Sequence, residues 1–124
     1  MSRLVLIVED SATCAETLQI ALESLPDLEV VAIPSPRAAI AMLARTARDV
    51  AAIITDLHLP QTDGLDLIRQ LRAEPRFARL PILLISGDSD PRLRERALAG
   101  GADAFFPKPY SPSAVRKKLE ELIC

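Results

Sequence analysis

The chain has 124 residues, 49% of them hydrophobic and 26% charged, which fits a single globular domain with a real core and excludes a disordered chain. A formal net charge of −2 argues against a nucleic-acid footprint spread over the whole surface, although twelve of the fifteen basic residues are arginine. Cys14 and Cys124 stand at opposite ends of the chain, in neither a CxxC pair nor a zinc-ligand spacing, so they imply two reduced thiols rather than a disulfide framework or a metal cluster.

Residues 4–8, LVLIV, form a short, continuous, β-branched-rich apolar run closed by Glu9-Asp10. That is the pattern of a strand buried on both faces, and it is too short for a signal-peptide core. No run approaches the roughly eighteen residues of a membrane span, so a soluble, cytoplasmic protein is expected, with no membrane partner and no direct nucleic-acid partner. Ser11 or Thr13 can cap the next helix, with Thr13 and Glu16 at capping-box spacing, and Cys14, Leu18, Ala21, Leu22 and Leu25 follow at helical intervals until Pro26. Residues 29–32 read as a second strand. Ser35-Pro36 then places a cap before a first-turn proline, with Ile40, Leu43, Ala44 and Ala47 as the apolar stripe.

The third strand begins the stretch VAAIITDLHLPQTDG at residues 50–64, in which an uncharged run ends at Asp56. Pro60 blocks further regular pairing, and Asp63-Gly64 supplies turn chemistry before a helix marked by Leu67, Ile68 and Leu71 that should stop before Pro75. Residues 81–85, PILLI, form a fourth buried strand running into Ser86-Gly87. Asp90-Pro91 repeats the cap-then-proline device, Leu93, Ala97 and Leu98 supply an inner face, and Gly100-Gly101 can terminate that helix. Residues 104–106 make a fifth strand, and Ser111-Pro112 opens a last helix striped by Val115, Leu119, Leu122 and Ile123. Strict alternation of short apolar strands with helices implies an α/β fold, a doubly wound parallel sheet of five strands in the flavodoxin-like order 2-1-3-4-5.

In a parallel sheet all strands point one way, so the residues that follow them collect along one edge. Here these are Glu9 and Asp10, Asp56, Ser86 and Lys108, on strands the winding sets side by side. Three carboxylates sharing a shallow pocket keep their charge only if a cation joins them. An all-oxygen set suits a hard ion such as Mg²⁺, with Mn²⁺ as a possible substitute, and that ion implies phosphate chemistry. A carboxylate can accept a phosphoryl group, and the acyl phosphate formed needs its oxygens neutralised. The assignment that follows is Asp56 as acceptor, Glu9 and Asp10 as metal holders, and the Lys108 ammonium and Ser86 hydroxyl as phosphate contacts, with room beside Gly87.

These residues resemble a known family, the receiver domain of two-component response regulators, of the single-domain chemotaxis type. The likeness spans the chain: an acidic pair after strand one, D-x-x-x-P from Asp56 to Pro60, D-G before helix three, a serine thirty residues after Asp56 and K-P at Lys108-Pro109. It implies Asp56 as phosphoacceptor, Glu9, Asp10, Asp56 and the backbone carbonyl of His58 around the metal, Ser86 as switch hydroxyl, Phe105 as switch aromatic and a cis bond at Lys108-Pro109. Serine stands where threonine is commoner, Phe105 lacks the phenol frequent at its position, and Pro107 removes a backbone donor beside Lys108. His58 and Asp88 are candidates for tuning dephosphorylation.

The resemblance further implies a sensor histidine kinase or phosphotransfer protein as phosphodonor and a downstream protein bound on the face made by helix four, strand five and helix five. Arg92, Arg94, Arg96, Tyr110, Arg116, Lys117 and Lys118 would populate that face. Residues 1–124 read as one receiver with no output domain, a monomer or a weak phosphorylation-dependent dimer, either free-standing or part of a larger regulator or hybrid kinase. Two other functions compete. A phosphohydrolase with an aspartyl-phosphate intermediate would need an acid/base carboxylate two residues after Asp56, where His58 stands; an unphosphorylated interaction module would be favoured by loss of the acidic pair, aspartate or lysine, none of which is missing.

Overall fold

The structure, a computed structural model, describes residues 3–59 and 62–123; Pro60 and Cys124, both named above, lie outside them. Strands and helices alternate: β1 Arg3–Val8, α1 Ala12–Glu23, β2 Leu28–Ile33, α2 Pro36–Arg45, β3 Val50–Asp56, α3 Gly64–Ala73, β4 Ile82–Ser86, α4 Leu93–Ala99, β5 Ala104–Pro107 and α5 Pro112–Ile123. All strand pairs are parallel, and the order is β2-β1-β3-β4-β5, as the alternation implies.

Each central strand feeds two cores because side chains alternate across the sheet. Leu4, Leu6 and Val8 of β1 join Ile53, Leu67, Ile68 and Leu93 beneath α2, α3 and α4. Val5 and Ile7 join Ile54, Leu18, Leu22, Val115 and Leu119 beneath α1 and α5. Burying one such side chain stabilises the fold by about 1.5–3 kcal/mol, and this two-sided burial is why β1, β3 and β4 read as unbroken apolar runs.

The helix entries are set by side-chain caps. Ser11 caps α1 by accepting from the Cys14 N–H, Ser35 caps α2 from the Ala38 N–H, and Asp63 caps α3 from the Asp66 N–H. Four details depart from the sequence reading. The Thr13–Glu16 capping box does not form, because Ser11 starts α1 two residues earlier, and α1 ends at Glu23, before Pro26. Asp90 does not cap α4. Its carboxylate accepts from the Arg92 N–H and its carbonyl from the Leu93 N–H, closing a turn from which α4 begins at Leu93. Leu98 is 44% exposed rather than on the inner face. On α2, Ala39 and not Ala44 or Ala47 lies inward beside Leu43, since the helix ends at Arg45 and its stripe is rotated by about one position. Gly101 ends α4 with φ +115, a conformation that glycine adopts freely.

Candidate functional site

The carboxyl edge of the sheet gathers the polar residues that end its strands. Glu9 extends the β1 pairing by one residue, its N–H donating to the Ile33 carbonyl at 3.0 Å. Its Oε1 accepts from the Ser11 N–H at 3.0 Å, so the entry of α1 holds this carboxylate in place. Asp10, the next residue, is exposed. Asp56 is the last residue of β3, with a side chain only 8% exposed. Its Oδ2 accepts from Lys108 Nζ at 2.8 Å and its Oδ1 from the His58 N–H at 3.4 Å.

Lys108 reaches the pocket from the end of β5, where its N–H donates to the Ser86 carbonyl at 2.7 Å and its peptide bond to Pro109 is cis. Its Nζ also stands 3.5 Å from Glu9 Oε2, bridging the two carboxylates. Ser86, fully buried, ends β4 one residue beyond Ile85, the register partner of Asp56. Its Oγ accepts from the Asp88 N–H at 2.9 Å. An added Cβ at Gly87 would meet Lys108 Cβ and Cδ at 3.8 and 3.9 Å, ordinary contact, so the space at Gly87 runs alongside the lysine stem.

The electrostatics follow from this crowding. Burial, followed by the hydrogen bond it shares with the Asp56 carboxyl, pushes the Glu9 carboxyl up to about 7. Burial works against the Lys108 ammonium, yet the Asp56 and Glu9 carboxylates outweigh it and hold Lys108 above its ordinary range. The pocket thus carries more negative charge than one ammonium balances. One oxygen from each of Glu9, Asp10 and Asp56 lies within 4.8 Å of the others. Oxygens on one Mg²⁺ at about 2.1 Å are at most about 4.2 Å apart, so three carboxylate oxygens within 4.8 Å of one another are close to that range, and the donors are of the type a hard cation takes.

Three features of the site were not foreseen. His58 Nε2 and Asp88 Oδ2 stand 3.3 Å apart, joining the loops that follow β3 and β4 across the pocket mouth. Both residues were visible as candidates, but a pairing across two loops leaves no spacing signal. Gly64, the first residue of α3, packs on the Asp56 carbonyl, and its N–H donates to the Leu57 carbonyl at 2.7 Å. The Arg94 guanidinium lies over the Phe105 ring, 5.5 Å from its centroid, while Phe105 itself is buried among the residues under α2, α3 and α4. Of the basic residues expected together on the α4 and α5 face, Arg92, Arg94, Arg96 and Lys117 are exposed, while Tyr110 is half-buried against the core beneath α1 and α5. Arg116 belongs elsewhere: its Nε donates to Ser24 Oγ at 2.8 Å, which ties it to the end of α1, because α5 packs against α1. Lys118 pairs with Glu121 along the same helix at 3.7 Å.

The sequence profile described as the response regulator receiver domain matches residues 5–120. The chain belongs to the response regulator receiver domain family. The chemotaxis protein CheY1 of Helicobacter pylori is 30% identical over 118 residues, covering 95% of this receiver and 94% of that protein. The receiver domain of a signal transduction histidine kinase from Syntrophus aciditrophicus is 34% identical, with a TM-score of 0.86 over 98% of this receiver and 90% of that chain. The chemotaxis response regulator CheY4 of Vibrio cholerae, at 24% identity, shares the fold, with a TM-score of 0.85 over 98% and 99% of the two chains. No helix among the receiver's described residues is long and apolar enough to cross a membrane.

Proposed function

We propose that this receiver is a phosphorylation switch in which Asp56 accepts a phosphoryl group from a sensor histidine kinase or phosphotransfer protein. The observation that carries this is the Asp56 carboxylate itself, nearly buried, 2.8 Å from Lys108 Nζ and within 4.8 Å of carboxylate oxygens of Glu9 and Asp10. A buried acceptor flanked by one fixed cation and a second cation site is what an acyl phosphate requires of its surroundings.

Glu9, Asp10 and Asp56, with the backbone carbonyl of His58, would hold Mg²⁺, or Mn²⁺ in its place. When bound, that ion neutralises charge on the transferred group. Lys108, whose ammonium rests on Asp56 Oδ2, would pass to an oxygen of the phosphoryl group as it arrives, and Ser86 would offer its hydroxyl to another from the adjacent strand end. Drawing Ser86 toward the phosphoryl group acts on the Asp88 N–H bonded to it and so on the whole loop before α4. Phe105, under the Arg94 guanidinium, stands beside that loop's helix and would carry the change to the exposed face of α4 and α5, where Arg92, Arg94, Arg96 and Lys117 offer charge to an acidic partner protein. His58 and Asp88, paired over the mouth, would set how readily water reaches the acyl phosphate.

The test is to add Mg²⁺ with beryllium fluoride or acetyl phosphate to this protein and to Asp56→Asn, and to compare amide NMR spectra. A response in the wild type that reaches from residues 9–10 and 56–58 to β4, α4 and β5, exceeds the response to Mg²⁺ alone and is absent from Asp56→Asn supports the switch. The same response in both, or none in either, favours a receiver-like interaction module that works without phosphorylation.

A further inference from the structure

The opposite edge of the sheet, where the strands begin, holds a cleft of about 480 Å³ lined by Arg3, Arg48, Arg76 and Arg79. Asp49 is the one carboxylate in its lining. In a chain of net charge −2 this is a local surplus of positive charge, and it lies at the far end of the strands from Asp56.

Partners divide the four guanidiniums. Arg3 Nε takes Asp49 Oδ2 at 2.9 Å, and Arg48 Nη1 takes Glu29 Oε1 at 2.9 Å. Arg76 is held by carbonyls rather than by a carboxylate: Nη1 donates to Leu43 O at 3.0 Å and Nη2 to Thr46 O at 2.9 Å. Its guanidinium also lies over the Phe77 ring, 5.0 Å from the centroid. A guanidinium has five N–H donors, so Arg76 keeps its full charge and three further donors in a fixed orientation. Arg79, exposed, has neither a hydrogen-bond nor an ion-pair partner among the described residues. Two arginines without a carboxylate partner among the described residues, one of them fixed in place, therefore line a concavity within the size range of small-molecule sites.

We propose that this cleft is a binding site for a small polyphosphate anion, with Arg76 and Arg79 as its principal contacts and Arg3 and Arg48 supplying field from the rim. Planar N–H forks match pairs of phosphate oxygens, and a ligand with two linked phosphates can meet two separated guanidiniums at once, which a monovalent anion cannot. A site at this edge leaves the Asp56 pocket open, so both could be occupied together.

The experiment follows amide NMR shifts of the metal-free protein at low salt during titration with inorganic pyrophosphate and, in a second arm, with ADP. Saturable amide shifts at residues 48–50 and 76–80, with a dissociation constant below about 1 mM, are expected from at least one ligand. The tighter of the two tells whether the cleft takes a bare diphosphate or one carried on a nucleoside. Arg79→Glu, which removes no hydrogen bond or ion pair among the described residues, should weaken binding by about tenfold. Shifts that fail to saturate by about 10 mM, shifts centred on Lys108 instead, or equal binding by Arg79→Glu would each overturn the proposal.

Discussion

Replacing Gly64 by alanine tests how the fold positions Asp56. A Cβ at residue 64 would be driven into the Asp56 carbonyl oxygen and would sit 2.9 Å from Leu84 Cδ1 and 3.1 Å from Leu57 Cα. Leu84 can rotate, but two of the three obstacles are backbone of β3 and of the residue after it, so the start of α3 must lift off the strand. Overpacking of this kind costs about 1–3 kcal/mol, and straining the 2.7 Å bond from the Gly64 N–H to the Leu57 carbonyl adds about 1 kcal/mol. The better helix propensity of alanine returns less than about 1 kcal/mol at this first position. The net expectation is a loss of about 2 kcal/mol, or a fall in Tm of about 8 °C for a domain of this size. Urea denaturation should show a lower midpoint at unchanged m-value. Because the displaced carbonyl belongs to Asp56, acetyl phosphate should also phosphorylate the variant more slowly at temperatures where it remains folded. A midpoint equal to or above that of the wild type refutes the reasoning.

Other outcomes follow from the same geometry. Lys108→Met removes the ammonium that shares Asp56 with any entering cation, so Mg²⁺ should bind the unphosphorylated variant about tenfold more tightly by calorimetry; unchanged or weaker binding contradicts this. Glu9, with its carboxyl raised to about 7, must lose a proton before it can hold a metal, so Mg²⁺ affinity should fall by up to about tenfold for each pH unit below 7. In metal-free protein the same group contributes stability that is fully present below its ordinary value of 4.5 and lost as pH rises through 7, and Glu9→Gln should lack this pH dependence in urea titrations. If the His58–Asp88 pair shields the acyl phosphate, His58→Ala and Asp88→Ala should each speed dephosphorylation about threefold and the double variant no further, whereas multiplicative effects would show that the residues act separately.

The parts of this molecule legible in its sequence are those dictated by period and strand order. Runs such as residues 4–8 and 81–85 could only be strands buried on both faces, and once the strands are parallel Glu9, Asp56, Ser86 and Lys108 must share an edge. The start of α4 was not legible, because Asp90-Pro91 has the composition of a helix cap while its carboxylate and carbonyl close a turn instead. The direction of Arg116 depended on α5 packing against α1, a tertiary fact without local signature. The amino-edge cleft joins residues 3, 48, 76 and 79, which share no spacing and meet only because strand starts and the turn at Pro75–Phe77 converge there.

The most direct test of the switch is to expose the protein to acetyl phosphate and Mg²⁺, reduce the product with borohydride and sequence its peptides by mass spectrometry. Borohydride converts an aspartyl phosphate to homoserine, which marks the residue that carried the phosphoryl group. Homoserine at position 56, absent from samples without Mg²⁺, is the predicted result. No homoserine, or homoserine at Asp10 or another carboxylate with none at 56, would contradict the assignment of Asp56 as acceptor.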